Sequence, residues 1–140
     1  MRYFSVEPEV AGGIGERTIL DVSVHPPIVS KLHYEIEGWP EDAILEGFPV
    51  FIVTEAVKRG LIESRLTGAA FAEAEVTTSE NFREFYPDRQ LPPFVWLKPI
   101  GRAGRDDFGT TSKGYLVVSE RALDVLRKFG IENALVSPFD

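Results

Sequence analysis

The stretch Tyr115-Leu116-Val117-Val118-Ser119-Glu120-Arg121-Ala122-Leu123 changes periodicity halfway along. Tyr115 to Val118 is a short apolar run of strand length, and Ser119-Glu120 marks a helix start. A serine oxygen there accepts a free N–H of the first turn, and a carboxylate meets the positive end of the helix dipole. Beyond it Ala122, Val125, Leu126 and Phe129 recur at i, i+3, i+4 and i+7 on one helical face, and Gly130 supplies the stop. Ala134-Leu135-Val136 then reads extended. The spacing predicts a strand, a capped helix packed on a sheet, and a second strand.

The same unit occurs once more upstream. Phe48-Pro49-Val50-Phe51-Ile52-Val53 is a short apolar run, Thr54-Glu55 opens a helical stretch ending before Gly68, and Ala70 to Val76 reads extended. Val57, Leu61, Ile62 and Leu66 form a looser apolar stripe, with Gly60 inside it at a cost of about 1 kcal/mol relative to alanine. The N-terminal third reads as strands over Tyr3 to Val6, Thr18 to Val24 and Lys31 to Glu37. In the last of these Leu32, Tyr34 and Ile36 alternate with Lys31, His33, Glu35 and Glu37, the pattern of a half-buried strand. His25-Pro26-Pro27 and Gly38-Trp39-Pro40-Glu41-Asp42 are breaks, Phe94 to Lys98 is another strand, and Gly101 to Gly114 reads as a polar, glycine-rich loop. With no composition break along 140 residues, residues 1–140 are expected to form one domain with a real core. The expected class is α+β or α/β, a mainly antiparallel or mixed sheet with two or three helices packed on it.

The composition, 44% apolar and 26% charged, is that of an ordinary globular protein. The chain has no cysteine, so disulfides, thiolate zinc sites and cysteine nucleophiles are excluded. Met1 to Pro8 has no apolar run of signal length and no segment approaches the ~20 apolar residues of a membrane span, so a soluble, cytoplasmic protein is expected. The net charge of −7 is lopsided: residues 1–53 hold three basic and nine acidic residues, residues 93–140 seven and six. An acidic half disfavours a phosphate backbone as partner and steers a basic protein favourably.

The chemistry-bearing motifs are sparse. Gly12-Gly13-Ile14-Gly15 lacks the Lys-Ser/Thr ending of a P-loop and the full spacing of a dinucleotide fingerprint, and is read as a flexible hairpin loop. His25 and His33, the only imidazoles, are expected to hold no metal, and no cofactor is expected. Ser23 and Ser30 lack an elbow motif. Carboxylate pairs occur at Glu35/Glu37, Glu73/Glu75 and Asp106/Asp107; the first could act as acid and base, and each could equally be a solvated or turn-forming pair. Phe82, Phe85 and Tyr86 fall at helical spacing and are expected in the core, whereas Trp39, in a Gly-Trp-Pro turn, is the candidate exposed anchor.

The C-terminal third, with Phe94-Val95-Trp96-Leu97, Asp106-Asp107-Phe108, Gly114-Tyr115-Leu116-Val117-Val118-Ser119-Glu120-Arg121-Ala122-Leu123 and Phe129-Gly130-Ile131, resembles the myxobacterial-type immunity proteins encoded beside polymorphic bacterial toxins. The resemblance covers about the last 50 residues and implies a non-enzymatic protein that binds and neutralises a cognate toxin. Paired CxxC motifs of some relatives have no counterpart here. On this reading Glu35, Glu37, Trp39, Asp106 and Asp107 are the expected partner-binding residues and the partner is a protein, with no nucleic acid or membrane involved. The alternatives are a small enzyme using His33, Glu35 and Glu37 or Asp106 and Asp107, and a regulatory subunit of a larger assembly.

Overall fold

The computed structural model describes residues 2–140 and has an α+β fold dominated by sheet. The two units read from the sequence are present and built alike. In the first, β6 (Ile44–Gly47) and β7 (Val50–Thr54) form a hairpin, α1 (Glu55–Glu63) follows, and β8 (Ala69–Ala72) returns. In the second, β12 (Phe108–Thr110) pairs β13 (Leu116–Ser119), α3 (Glu120–Phe129) follows, and β14 (Leu135–Phe139) returns. Each helix is capped as expected, with Thr54 Oγ1 accepting from the Val57 N–H and Ser119 Oγ from the Ala122 N–H.

In neither unit do the two parallel strands touch. β10 (Phe94–Pro99) lies between β7 and β8, antiparallel to both, and β1 (Tyr3–Glu7) lies between β13 and β14 in the same way. The four-stranded sheet β6-β7-β10-β8 thus matches β12-β13-β1-β14 in the larger sheet, which adds β11 (Gly101–Arg102) outside β12. The intervening strand comes from within the chain in one half and from the N-terminus in the other. The helices pack on each other, and a Cβ on Gly60 would meet the Phe129 ring at 2.7 Å, so the costly helical glycine permits this close approach.

Sheet β6-β7-β10-β8 is buried on both faces, which explains the unbroken apolar run at Val50 to Val53. Phe51, Val53 and Leu97 enter a core shared with Val57, Leu61, Leu116, Val118 and Leu126. Val50, Ile52, Phe94 and Trp96 enter a second core under the three-stranded sheet of β2 (Gly12–Ile14), β5 (His33–Ile36) and β9 (Glu75–Thr78), with α2 (Glu80–Phe85) beside it. A separate ribbon of β3 (Ile19–Asp21) and β4 (Ile28–Lys31) completes the fold.

Several expectations are corrected. The strand expected over Lys31 to Glu37 is interrupted at Leu32, and His33, assigned to the solvated face, is buried because the Gly15 to Thr18 turn folds over it. Gly12 to Ile14 is a strand rather than a loop; Gly12 lies so close to the Glu35 carbonyl that a side chain has no room. The Gly101 to Gly114 loop contains β11 and β12. Of the three aromatics expected in the core, Phe82 is buried and Tyr86 half-buried, whereas Phe85 is exposed.

Candidate functional site

The segment Glu9-Val10-Ala11 leaves β1 and threads between two acidic stretches. On one side Glu9 bridges Leu45, and its carbonyl accepts from the Glu46 N–H at 2.9 Å. On the other, the Ala11 carbonyl accepts from the N–H groups of Glu37 and Gly38 at 2.8 and 3.1 Å. The Glu9 carboxylate is fixed by accepting from the N–H groups of Glu41 and Asp42, at 3.0 and 2.8 Å. Val10, 67% exposed, therefore lies on a segment that runs between the stretches carrying Glu37 and Glu41 on one side and Glu46 on the other, with Glu7 and Glu9 on the segment's own approach.

Among the described residues the ion pairs are Arg2–Glu120, Arg17–Glu16, Arg17–Glu75 and Arg121–Asp107, and none involves these five carboxylates. Partial burial pushes the Glu46 carboxyl above its usual range and Glu7 adds to this. Burial likewise pushes the Tyr34 phenol up, reinforced by Glu46, Glu9 and Glu37, while its O–H donates to the Glu46 carbonyl at 2.9 Å. The Glu7 charge thus disfavours ionisation of Glu46, and a cationic partner would relieve that repulsion.

Of the residues expected from the sequence, Glu37 belongs to this face. Glu35, two residues away, lines a different, polar crevice with Glu16, Arg17, His33, Thr77 and Arg83, where acids and arginines are mixed. There the His33 Nδ1 accepts from the Arg17 N–H at 3.2 Å and Nε2 lies 2.8 Å from Thr77 Oγ1, so both ring nitrogens are engaged; this assigns the proton to Nε2. The Arg17 guanidinium is itself held by Glu75, its Nε at 2.9 and 3.0 Å from the two carboxylate oxygens. Among the described residues no group of three or more His, Asp or Glu side chains is placed to hold a metal ion.

Trp39 is half-buried rather than free: its ring packs 6.1 Å from Phe82 and 6.0 Å from Tyr86, and the Arg89 guanidinium lies 4.5 Å from its centroid. Asp106 accepts from the Arg102 N–H at 2.7 Å, closing the turn between β11 and β12. Asp107 is buried, with its carboxylate committed inside the fold: Oδ1 accepts from Ser119 Oγ at 2.6 Å and Arg121 Nε at 3.0 Å, and Oδ2 from the Thr67 N–H and an Arg121 Nη at 2.8 Å each. Burial opposes its ionisation, but these donors outweigh burial and hold the carboxyl far below the usual range. Asp42 plays the related role in the other half, accepting from the Asn133 N–H at 2.8 Å. Each half thus places an aspartate ahead of its hairpin, and that aspartate ties down the loop leaving the other half's helix.

Sequence reasoning missed Val10, Glu7, Glu9, Glu41 and Glu46. The only signal for them was the acidic excess of the first 53 residues. No protein-family model matches this chain, and a search of curated proteins found none that matches.

Proposed function

We propose that the chain is an immunity-type protein that binds and neutralises a bacterial toxin, meeting a basic surface of that toxin with the face centred on Val10. The observation that carries this reading is five carboxylates on the adjoining segments around exposed Val10, none in an ion pair among the described residues. The charge supplies steering and the apolar centre supplies contact that is not screened by salt. The resemblance of the C-terminal third supplies the toxin as the class of partner.

The test is co-purification with the products of neighbouring reading frames, followed by association kinetics. One stoichiometric basic partner is expected, whose toxicity on expression is relieved by this chain. Glu37→Lys with Glu41→Lys should slow association at low salt by at least about tenfold and flatten its ionic-strength dependence, with the melting temperature unchanged. An unchanged association rate at low salt would remove the acidic face from the interface.

A further inference from the structure

Beside the acidic face lies an apolar groove of about 240 Å³, walled by Pro26 and Val29 of the ribbon and by Pro49, Ile100 and Gly114, with Trp96 in its lining. A Cβ on Gly114 would lie 3.1 Å from both the Phe48 ring and Pro26, so ribbon, β6–β7 hairpin and β12–β13 turn converge at that glycine. The surroundings are apolar: Phe48 is 44% exposed, Ile100 70% and Tyr115 50%. Leu97 pairs with Phe51, which carries Ile100 to the level of Phe48, and Val6 pairs with Leu116, which brings Glu7 level with Tyr115. Glu46 precedes Phe48 by two residues. The single charged residue lining the groove, Lys98, is turned on to the Trp96 ring, its Nζ 4.7 Å from the centroid.

Exposed aromatic and aliphatic side chains grouped around a concavity mark contact sites on soluble proteins, and the volume is below the roughly 300 Å³ at which small-molecule sites begin. It suits one large side chain. The edge nearest Phe48 and Tyr115 is flanked by Glu46 and Glu7, which have no ion-pair partner among the described residues. From the shape and this charge we infer that the groove takes one leucine- or phenylalanine-sized side chain of a partner segment that also carries lysine or arginine. The inference rests on reading the chain as a binder of a basic protein, and adds the apolar anchor that the acidic face alone would lack.

The test uses the full chain, ¹⁵N-labelled, and the acetylated, amidated peptide Lys-Lys-Leu-Lys-Lys at low salt. Saturable shifts at Phe48, Ile100 and Gly114 are expected, at least about tenfold weaker in affinity for Lys-Lys-Gly-Lys-Lys and for Glu-Glu-Leu-Glu-Glu. Ile100→Ser, at an exposed position, should remove them without changing the melting temperature, and Glu7→Gln with Glu46→Gln should weaken them. Equal shifts with the glycine peptide, shifts confined to other surfaces, or none at millimolar peptide would each overturn the inference. No toxin enters the assay, so a silent groove would leave toxin neutralisation through Glu37 and Glu41 standing. Peptide binding by a chain that neutralises nothing would do the reverse.

Discussion

Asp107→Asn changes charge with almost no change in shape, and the structure allows its cost to be worked out. The carboxylate receives donors on both oxygens, from Ser119 Oγ and Arg121 Nε on one and from Thr67 N–H and an Arg121 Nη on the other. An amide keeps one acceptor and turns two N–H bonds towards the other set. Arg121 is half-exposed and regains water, so its loss is discounted. The Ser119 hydroxyl can rotate away; the Thr67 N–H cannot. One lost charged hydrogen bond to a buried donor, plus weakening of a second, gives about 2–4 kcal/mol. Because the folded carboxyl titrates below its unfolded value, its stabilisation is complete above the unfolded pKa of about 3.9 and is lost as pH falls through the folded value. Urea midpoints of the two proteins should therefore differ widely at pH 7, and the gap should narrow by about 1 kcal/mol at pH 3. Arg121→Gln should move the acid limb to higher pH, since burial then acts on Asp107 with less opposition. Coincident midpoints at pH 7, or a gap constant into acid, would refute the account of Asp107 as the charged centre of a buried network.

Ser119→Ala should cost about 2 kcal/mol, because the hydroxyl both caps α3 and donates to Asp107, whereas Thr54→Ala, where the cap is the contact seen, should cost about 1 kcal/mol; urea unfolding separates the two. Glu46→Gln should raise stability at pH 7, since a carboxyl whose folded pKa is raised destabilises when ionised, and the gain should fade as pH falls below that raised value. Equal midpoints at pH 7 would show that Glu46 is relaxed in the free protein. Gly15→Ala should lower the thermal midpoint, because the new methyl runs into the His33 ring, at a cost of about 1–3 kcal/mol; an unchanged midpoint would show that the turn gives way freely.

What the sequence made legible was local. Thr54-Glu55 and Ser119-Glu120 announce helix starts because cap and dipole act over a single turn, and the period-3.6 stripe of α3 needs only ten residues. The insertion of β1 between β13 and β14, or of β10 between β7 and β8, leaves no local trace, since pairing partners lie up to 136 residues apart, as for Tyr3 and Phe139. Alternation misjudged His33 for a related reason. It reports which residues share a face, and which face is covered depends on where the Gly15 to Thr18 turn lands. Asp106-Asp107 reads as a turn pair, and Asp106 serves as one. Nothing near Asp107 announces that Thr67, 40 residues before it, supplies the donors that justify its burial.

The likeness of the two halves separates scaffold from surface. Features that recur, the Thr54 and Ser119 caps, the aspartates Asp42 and Asp107, and the paired crossovers, all hold the fold together, and a residue preserved by such architecture needs no partner to explain it. Features found in one half alone call for another cause. The ribbon β3–β4, the sheet β2-β5-β9 and the carboxylates at Glu9, Glu37 and Glu41 have no counterpart beside β12–β13, where the corresponding aspartate is neutralised by Arg121. Buried Asp107 is paired with Arg121, whereas Glu7, Glu9, Glu37, Glu41 and Glu46 make no ion pair among the described residues. The half-specific surface that carries Val10 and borders the Phe48 groove thus joins carboxylates that make no ion pair among the described residues to exposed apolar side chains, the combination a basic partner with an apolar anchor would complement.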